Sequence, residues 1–144
     1  MAELKNSVLF DQIMNDARKI EITDRELFTV ERFAVAVIDA VNREIVASDM
    51  ELSALNKVVR KSFGDLDDAR EALMEYIRRD THDYYGEETY MFRKFNEAKR
   101  VAAQTGSNEV DTVIVLLCVL HDPNETIRKL LDAADEYEGD GDSV

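Results

Sequence analysis

The sequence predicts an all-α fold, a pseudo-two-fold duplicated bundle of about seven to eight helices. Three observations predict it. Five glycines and one proline in 144 residues are too few for the turns of a β fold. Apolar residues recur at three- and four-residue spacing along most of the chain. One succession occurs twice: an amphipathic helix, a short loop, a fully apolar helix and a further helix.

The elements follow in order. Leu9, Ile13, Ala17 and Ile20 share one face of a first helix that ends around Thr23-Asp24. Thr29 caps a second helix through Phe33, Val35, Ala36, Val37, Ile38 and Val41. Ser48 with Glu51 reads as a capping box for a third, which carries Leu52, Leu55, Val58 and Val59. Asp65 precedes a fourth, with Leu66, Ala69, Leu73, Tyr76 and Ile77. The polar, Tyr-bearing stretch Asp80 to Glu88 reads as a connector.

Phe92, Phe95, Ala98 and Ala102 then form a new helical face, which stops at Thr105-Gly106. Asn108 is placed as the next cap, with Asp111 in the first turn of a helix spanning Val113 to Leu120. Asp122-Pro123-Asn124-Glu125 reads as a cap, a proline at the first helical position and an acid near the positive end of the dipole. The last helix carries Ile127, Leu130, Leu131 and Ala134. Residues 138–144 read as an acidic flexible tail or the start of a linker.

Val113 to Leu120 is β-like in composition, and periodicity alone does not separate a buried strand from a buried helix. The helix-start signal directly after it favours helix. Burying eight such side chains contributes on the order of 10–20 kcal/mol before conformational entropy is set against it. The run is therefore expected as a central helix surrounded by others.

Aligned on order, Ala17 corresponds to Ala98 and Ala36 to Cys118. The motifs that carry the repeat are Thr-Val-Glu-Arg-Phe-Ala-Val-Ala-Val-Ile from Thr29 to Ile38 and Thr-Val-Ile-Val-Leu-Leu-Cys-Val-Leu from Thr112 to Leu120. Asp122-Pro123 and Ile127 to Leu131 follow the second, and Gly64-Asp65-Leu66 opens the helix between the halves. In this order the chain resembles the N-terminal double Clp repeat domain of Clp-type AAA+ unfoldases, whose halves each carry an Ala-rich helix, a loop and T-E-H-L-L-L-A-L-L. The resemblance divides residues 1–137 into repeat one (about 6–62), a connector (about 63–89) and repeat two (about 90–137).

The resemblance implies a substrate- and adaptor-binding module of a Clp-type ATP-dependent unfoldase and protease system, located in the cytoplasm. The alternative is a free-standing adaptor or regulator. Unfolded or tagged proteins and adaptor proteins are the implied partners, and the domain is expected to be a monomer, or hexameric within a full unfoldase. The motif histidine is Arg32 in the first half and Ile114 in the second, and the motif acid is Glu31 against Val113. In some family members that acid helps each half recognise phosphorylated arginine, so the resemblance implies an asymmetric use of the two halves here. Glu31 is the candidate for contact with a cationic group, with Thr29 and Arg32 beside it. Tyr84 and Tyr85 are candidates for peptide contact, since aromatic side chains are common at binding surfaces. Phe92 and Phe95 are assigned to the core.

Other chemistry is not expected. No G-x-x-x-x-G-K-[ST] phosphate loop occurs, so no ATPase activity and no cofactor are predicted for this chain. A formal net charge of −13 argues against nucleic acid or an anionic membrane as partner. His82 and His121 have no partner at metal-ligand spacing, so no metal is predicted, and His121 is placed near a helix C-terminus. Cys118 reads as a buried structural thiol and Glu87-Glu88 as a solvated face. A single cysteine leaves no internal disulfide and suits a reducing compartment.

Overall fold

The computed structural model describes residues 4–22, 26–43 and 50–142, with the backbone alone beyond residue 136. Among the described residues the chain forms seven helices: α1 (Val8–Arg18), α2 (Val30–Asn42), α3 (Met50–Phe63), α4 (Leu66–Ile77), α5 (Tyr84–Gln104), α6 (Thr112–His121) and α7 (Glu125–Asp142). The all-α bundle expected from composition and periodicity is the observed one. Two short strands, β1 (Lys5–Asn6) and β2 (Glu109–Val110), join in a parallel pair that the sequence reading does not anticipate.

Local chemistry explains most helix boundaries. The Thr29 hydroxyl accepts from the Arg32 amide and starts α2, and the Asp65 carboxylate accepts from Asp68 and starts α4. The α5 helix ends at Gly106, whose φ of 78° is the left-handed conformation that glycine adopts without strain. There Ser107 N–H donates to the Ala102 carbonyl (2.9 Å) and Gly106 N–H to that of Ala103 (3.2 Å), the two bonds of a Schellman stop.

Several boundaries correct the sequence reading. The α1 helix ends at Arg18, so half-buried Ile20 lies beyond it; Thr23-Asp24 and Ser48 fall outside the described residues. The α6 cap is Asp111, not Asn108, because Asn108 and the two residues after it are drawn into the strand pairing with Lys5 and Asn6. The α7 cap is Asn124, whose Oδ1 accepts from the Ile127 amide at 3.0 Å, whereas Asp122 closes α6. The connector is shorter than Asp80 to Glu88, since Asp83 caps α5 and Tyr84 onward is helical. The α7 helix continues through Gly139 and Gly141 to Asp142, beyond Tyr137 where the sequence ends it.

The apolar helices α2 and α6 start at matching positions, whereas the caps of α1 and α5, Ser7 and Asp83, are 76 apart (83 − 7). The caps Thr29 and Asp111 differ by 82 in number (111 − 29), the offset that relates Ala36 to Cys118. Ala17 and Ala98 are both buried, as are Ala36 and Cys118. The core nevertheless centres on α2, which packs on α1, α3, α4 and α5. Ten of its thirteen residues are buried, Glu31 and Arg32 among them. The more apolar α6 has only five of ten buried, and Leu117 is 49% exposed. The expectation of a central, surrounded α6 is therefore corrected: it packs on α5, α3 and α1 and leaves one face open.

A single carboxylate joins the start of α1 to the start of α6. Glu51 Oε2 accepts from the Ser7 hydroxyl and from the Thr112 amide, each at 2.8 Å. Ser7 caps α1 and Thr112 begins α6, so Glu51 on α3 pins the strand pair and both helix starts together. No helix among the described residues is long and apolar enough to cross a membrane.

Candidate functional site

A groove of about 500 Å³ runs between α1 and α5. Met14 and Arg18 line it from α1, Phe28 from the segment before α2, and Tyr85, Phe92 and Phe95 from α5. Along α5 the positions 85, 88, 92 and 95 recur at three- and four-residue spacing, so they form one stripe. Tyr85 is 83% exposed and Phe92 64% exposed, which is costly for two large aromatics on one face. Phe92 therefore departs from its expected core role. In its place Met91 and Lys94 are buried on the inner face of α5, together with Ala98 and Ala102.

The groove floor is braced through the core. Phe28 meets Phe33 edge-on with centroids 6.2 Å apart, and Phe33 meets Phe10 in the same way at 6.2 Å. Phe10 stacks on Phe95 at 5.6 Å, so two groove aromatics are joined by two core rings. The Arg18 guanidinium lies 5.5 Å from the Phe28 ring, and Glu88 lies at the rim. The site thus offers apolar area with one cation and one acid at its edges, a pattern suited to a peptide.

Tyr84 and Tyr85 part company because adjacent helical residues point about 100° apart. Tyr85 lines the groove. Tyr84 turns the other way and stacks on His82, 5.1 Å between centroids, while Tyr76 meets the same imidazole edge-on at 5.2 Å. His82 Nδ1 lies 3.2 Å from both carboxylate oxygens of Glu87, and its Nε2 lies 3.2 Å from the Ile77 carbonyl. Glu87 is therefore a buried partner of His82 and not part of a solvated face, and the sequence reading did not pair the two. Among the described residues no group of His, Cys, Asp and Glu could hold a metal ion.

Thr29, Glu31 and Arg32 are brought together, but inside the protein. The Arg32 guanidinium donates to the carbonyls of Ile20 (3.0 Å) and Glu21 (3.4 Å) and to the Thr29 hydroxyl (3.4 Å). These bonds fasten the chain after α1 to the start of α2. Glu31 is fully buried, and its Oε2 accepts from the Asn124 side-chain amide at 2.8 Å, while among the described residues no donor meets Oε1 in hydrogen-bond geometry. Burial pushes the Glu31 carboxyl above the usual carboxylate range; the Asn124 bond opposes this and the nearby Glu87 charge adds to it. The same surroundings push Tyr76 up to about 12, mainly by burial, with the charges of Glu31 and Glu87 adding. Glu31 thus joins α2 to the cap of α7 and presents no surface to a bound cation in this conformation.

Cys118 is buried as expected, and burial pushes its thiol up. His121 ends α6, at the negative end of the helix. No protein-family model, curated protein or solved structure matches the chain.

Proposed function

We propose that this protein is a binding module, not an enzyme, and that it holds an extended or helical peptide segment in the groove between α1 and α5. The exposed rings of Tyr85 and Phe92, two helical turns apart on one face of α5, carry this reading. Covering both removes on the order of 200 Å² of apolar surface and contributes about 5 kcal/mol. Association costs about 4–15 kcal/mol, so this pair alone gives weak binding, to which Met14, Phe28 and Phe95 add.

The order of the two halves supports placing the module with the N-terminal domains of Clp-type unfoldases, where it would present unfolded or tagged clients and adaptors in the cytosol. The equal 82-residue offset of the two caps, Thr29 and Asp111 (111 − 29), supports the duplication on which that placement rests. Weak sites of this kind gain strength when several copies act together, as in a hexameric ring. In this reading Tyr85 contacts the client, Tyr84 positions the start of α5, and Thr29, Glu31 and Arg32 shape the frame.

The test is binding of a labelled, permanently unfolded polypeptide to the wild type and to Tyr85→Ala/Phe92→Ala. The double variant should bind at least about tenfold more weakly, with unfolding stability changed by less than about 1 kcal/mol because both rings face solvent. Equal binding by the two proteins would remove the groove as the site.

A further inference from the structure

Beside the groove, α5 carries a second depression, of about 550 Å³, that the groove does not use. It is lined by Arg93, Lys94, Lys99 and Arg100, together with Glu97 and Asp122. Four cations against two acids leave an excess of two positive charges, on a chain whose net charge is −13. Both acids are already engaged. Lys94, only 5% exposed, donates to Glu97 at 3.3 Å and to Asp122 at 3.4 Å, and its ammonium lies 5.5 Å from the Tyr90 ring. The Tyr90 hydroxyl donates to the Asp122 carbonyl at 2.8 Å, which fixes this wall. Lys99 rests over the Phe95 ring at 4.5 Å. Among the described residues no carboxylate lies within ion-pair distance of Arg93, Lys99 or Arg100.

We infer that this depression is a binding site for an acidic polypeptide segment of a partner protein. Charge complementarity selects the occupant: on a chain of net charge −13, this patch holds three exposed cations without an ion-pair partner among the described residues. Spacing selects a polypeptide over a single phosphate. Arg93 and Arg100 are two helical turns apart, about 10 Å along the axis. A polypeptide matches this span: in the polyproline II conformation, with three residues per turn, carboxylates three residues apart lie on one face about 9 Å apart, whereas one phosphate would have to draw both side chains together. The net charge of −13 and the two carboxylates in the wall disfavour a nucleic-acid track, which needs a longer run of cations. The buried Lys94 and its two acids form the fixed floor, and the outer cations make the contacts. This site adjoins the α1/α5 groove where Lys99 rests on Phe95 but shares no lining residue with it, and either can fail without the other.

The experiment is fluorescence anisotropy with a labelled ten-residue polyglutamate at low ionic strength. The wild type should bind, with affinity falling as salt rises. Arg93→Glu/Lys99→Glu/Arg100→Glu should bind at least about tenfold more weakly. Lys57→Glu/Arg60→Glu/Lys61→Glu, an equal charge change on α3, should stay within about threefold of the wild type. Arg93→Gln/Arg100→Gln should reproduce most of the loss and covers the case in which the triple reversal does not fold. No binding by the wild type would overturn the proposal, as would an equal loss in the α3 control. Tighter binding of single-stranded oligothymidylate with the same variant sensitivity, or saturation of these side chains by inorganic phosphate alone, would overturn the polypeptide assignment.

Discussion

The apolar helices of the two halves, α2 and α6, begin at equivalent caps and end in different surroundings. The α2 helix carries Glu31 and Arg32 and is buried on nearly every side. The α6 helix has Val113 and Ile114 at those positions and leaves Leu117 half exposed. Apolar content therefore does not decide which helix is central. Partners decide it: α2 has α1, α3, α4 and α5 around it, and its charged groups are met by the Ile20 and Glu21 carbonyls and by Asn124. The α6 helix meets α5, α3 and α1, and its remaining face is uncovered among the described residues.

Arg32 is where α2 and α6 differ most in what holds them. Arg32→Met keeps the stem but leaves the Ile20 and Glu21 carbonyls without their donor. It should cost about 2–3 kcal/mol in urea unfolding. Ile114→Met, the matching change in the second half, should cost less than about 1.5 kcal/mol. Equal costs would mean that the first half does not depend on its buried guanidinium.

Glu31 sharpens the comparison through pH. Its carboxyl is raised by burial, so the folded state favours the protonated form. That stability is fully present below the unfolded carboxylate value of 4.5 and is lost as pH rises through the higher folded value. Glu31→Gln keeps the acceptor for Asn124 and removes the charge. It should be more stable than the wild type at pH 7 by on the order of 1 kcal/mol, and the difference should vanish below about pH 4. Thermal unfolding at both pH values checks this, and a variant less stable at pH 7 would show that the ionised form is needed. The smallest effect belongs to Leu117→Gln, which should change stability by less than about 0.5 kcal/mol because the side chain already meets water. A cost above about 2 kcal/mol would mean that this face is covered in solution.

Legibility in the sequence followed the range of the interaction. The caps Thr29 and Asp65 and the stop at Gly106 are local, and their side-chain chemistry announces them. Where several candidates crowd together, as in Asn108 to Asp111 or Asp122 to Asn124, tertiary pairing chooses and composition does not. The burial of Glu31 depends on Asn124, 93 residues away, and no periodicity reports that distance. His82 and Glu87 are only five apart, but they meet because the chain turns into α5 between them. Of the groove, Tyr85 was legible as an exposed aromatic. Phe92 was not, because an exposed stripe and a buried stripe have the same spacing. Lys94 hides for the opposite reason: a lysine reads as solvent-facing until two acids and a tyrosine ring close over it.

In the proposed reading, clients bind between α1 and α5 and avoid the exposed face of α6. Amide chemical-shift mapping during titration with an unfolded peptide tests it most directly. The account predicts the largest shifts at Arg18, Phe28, Tyr85, Thr89 and Phe92, with little change around Leu117. Shifts centred on Leu117, or on Glu31 and Asn124, would contradict it.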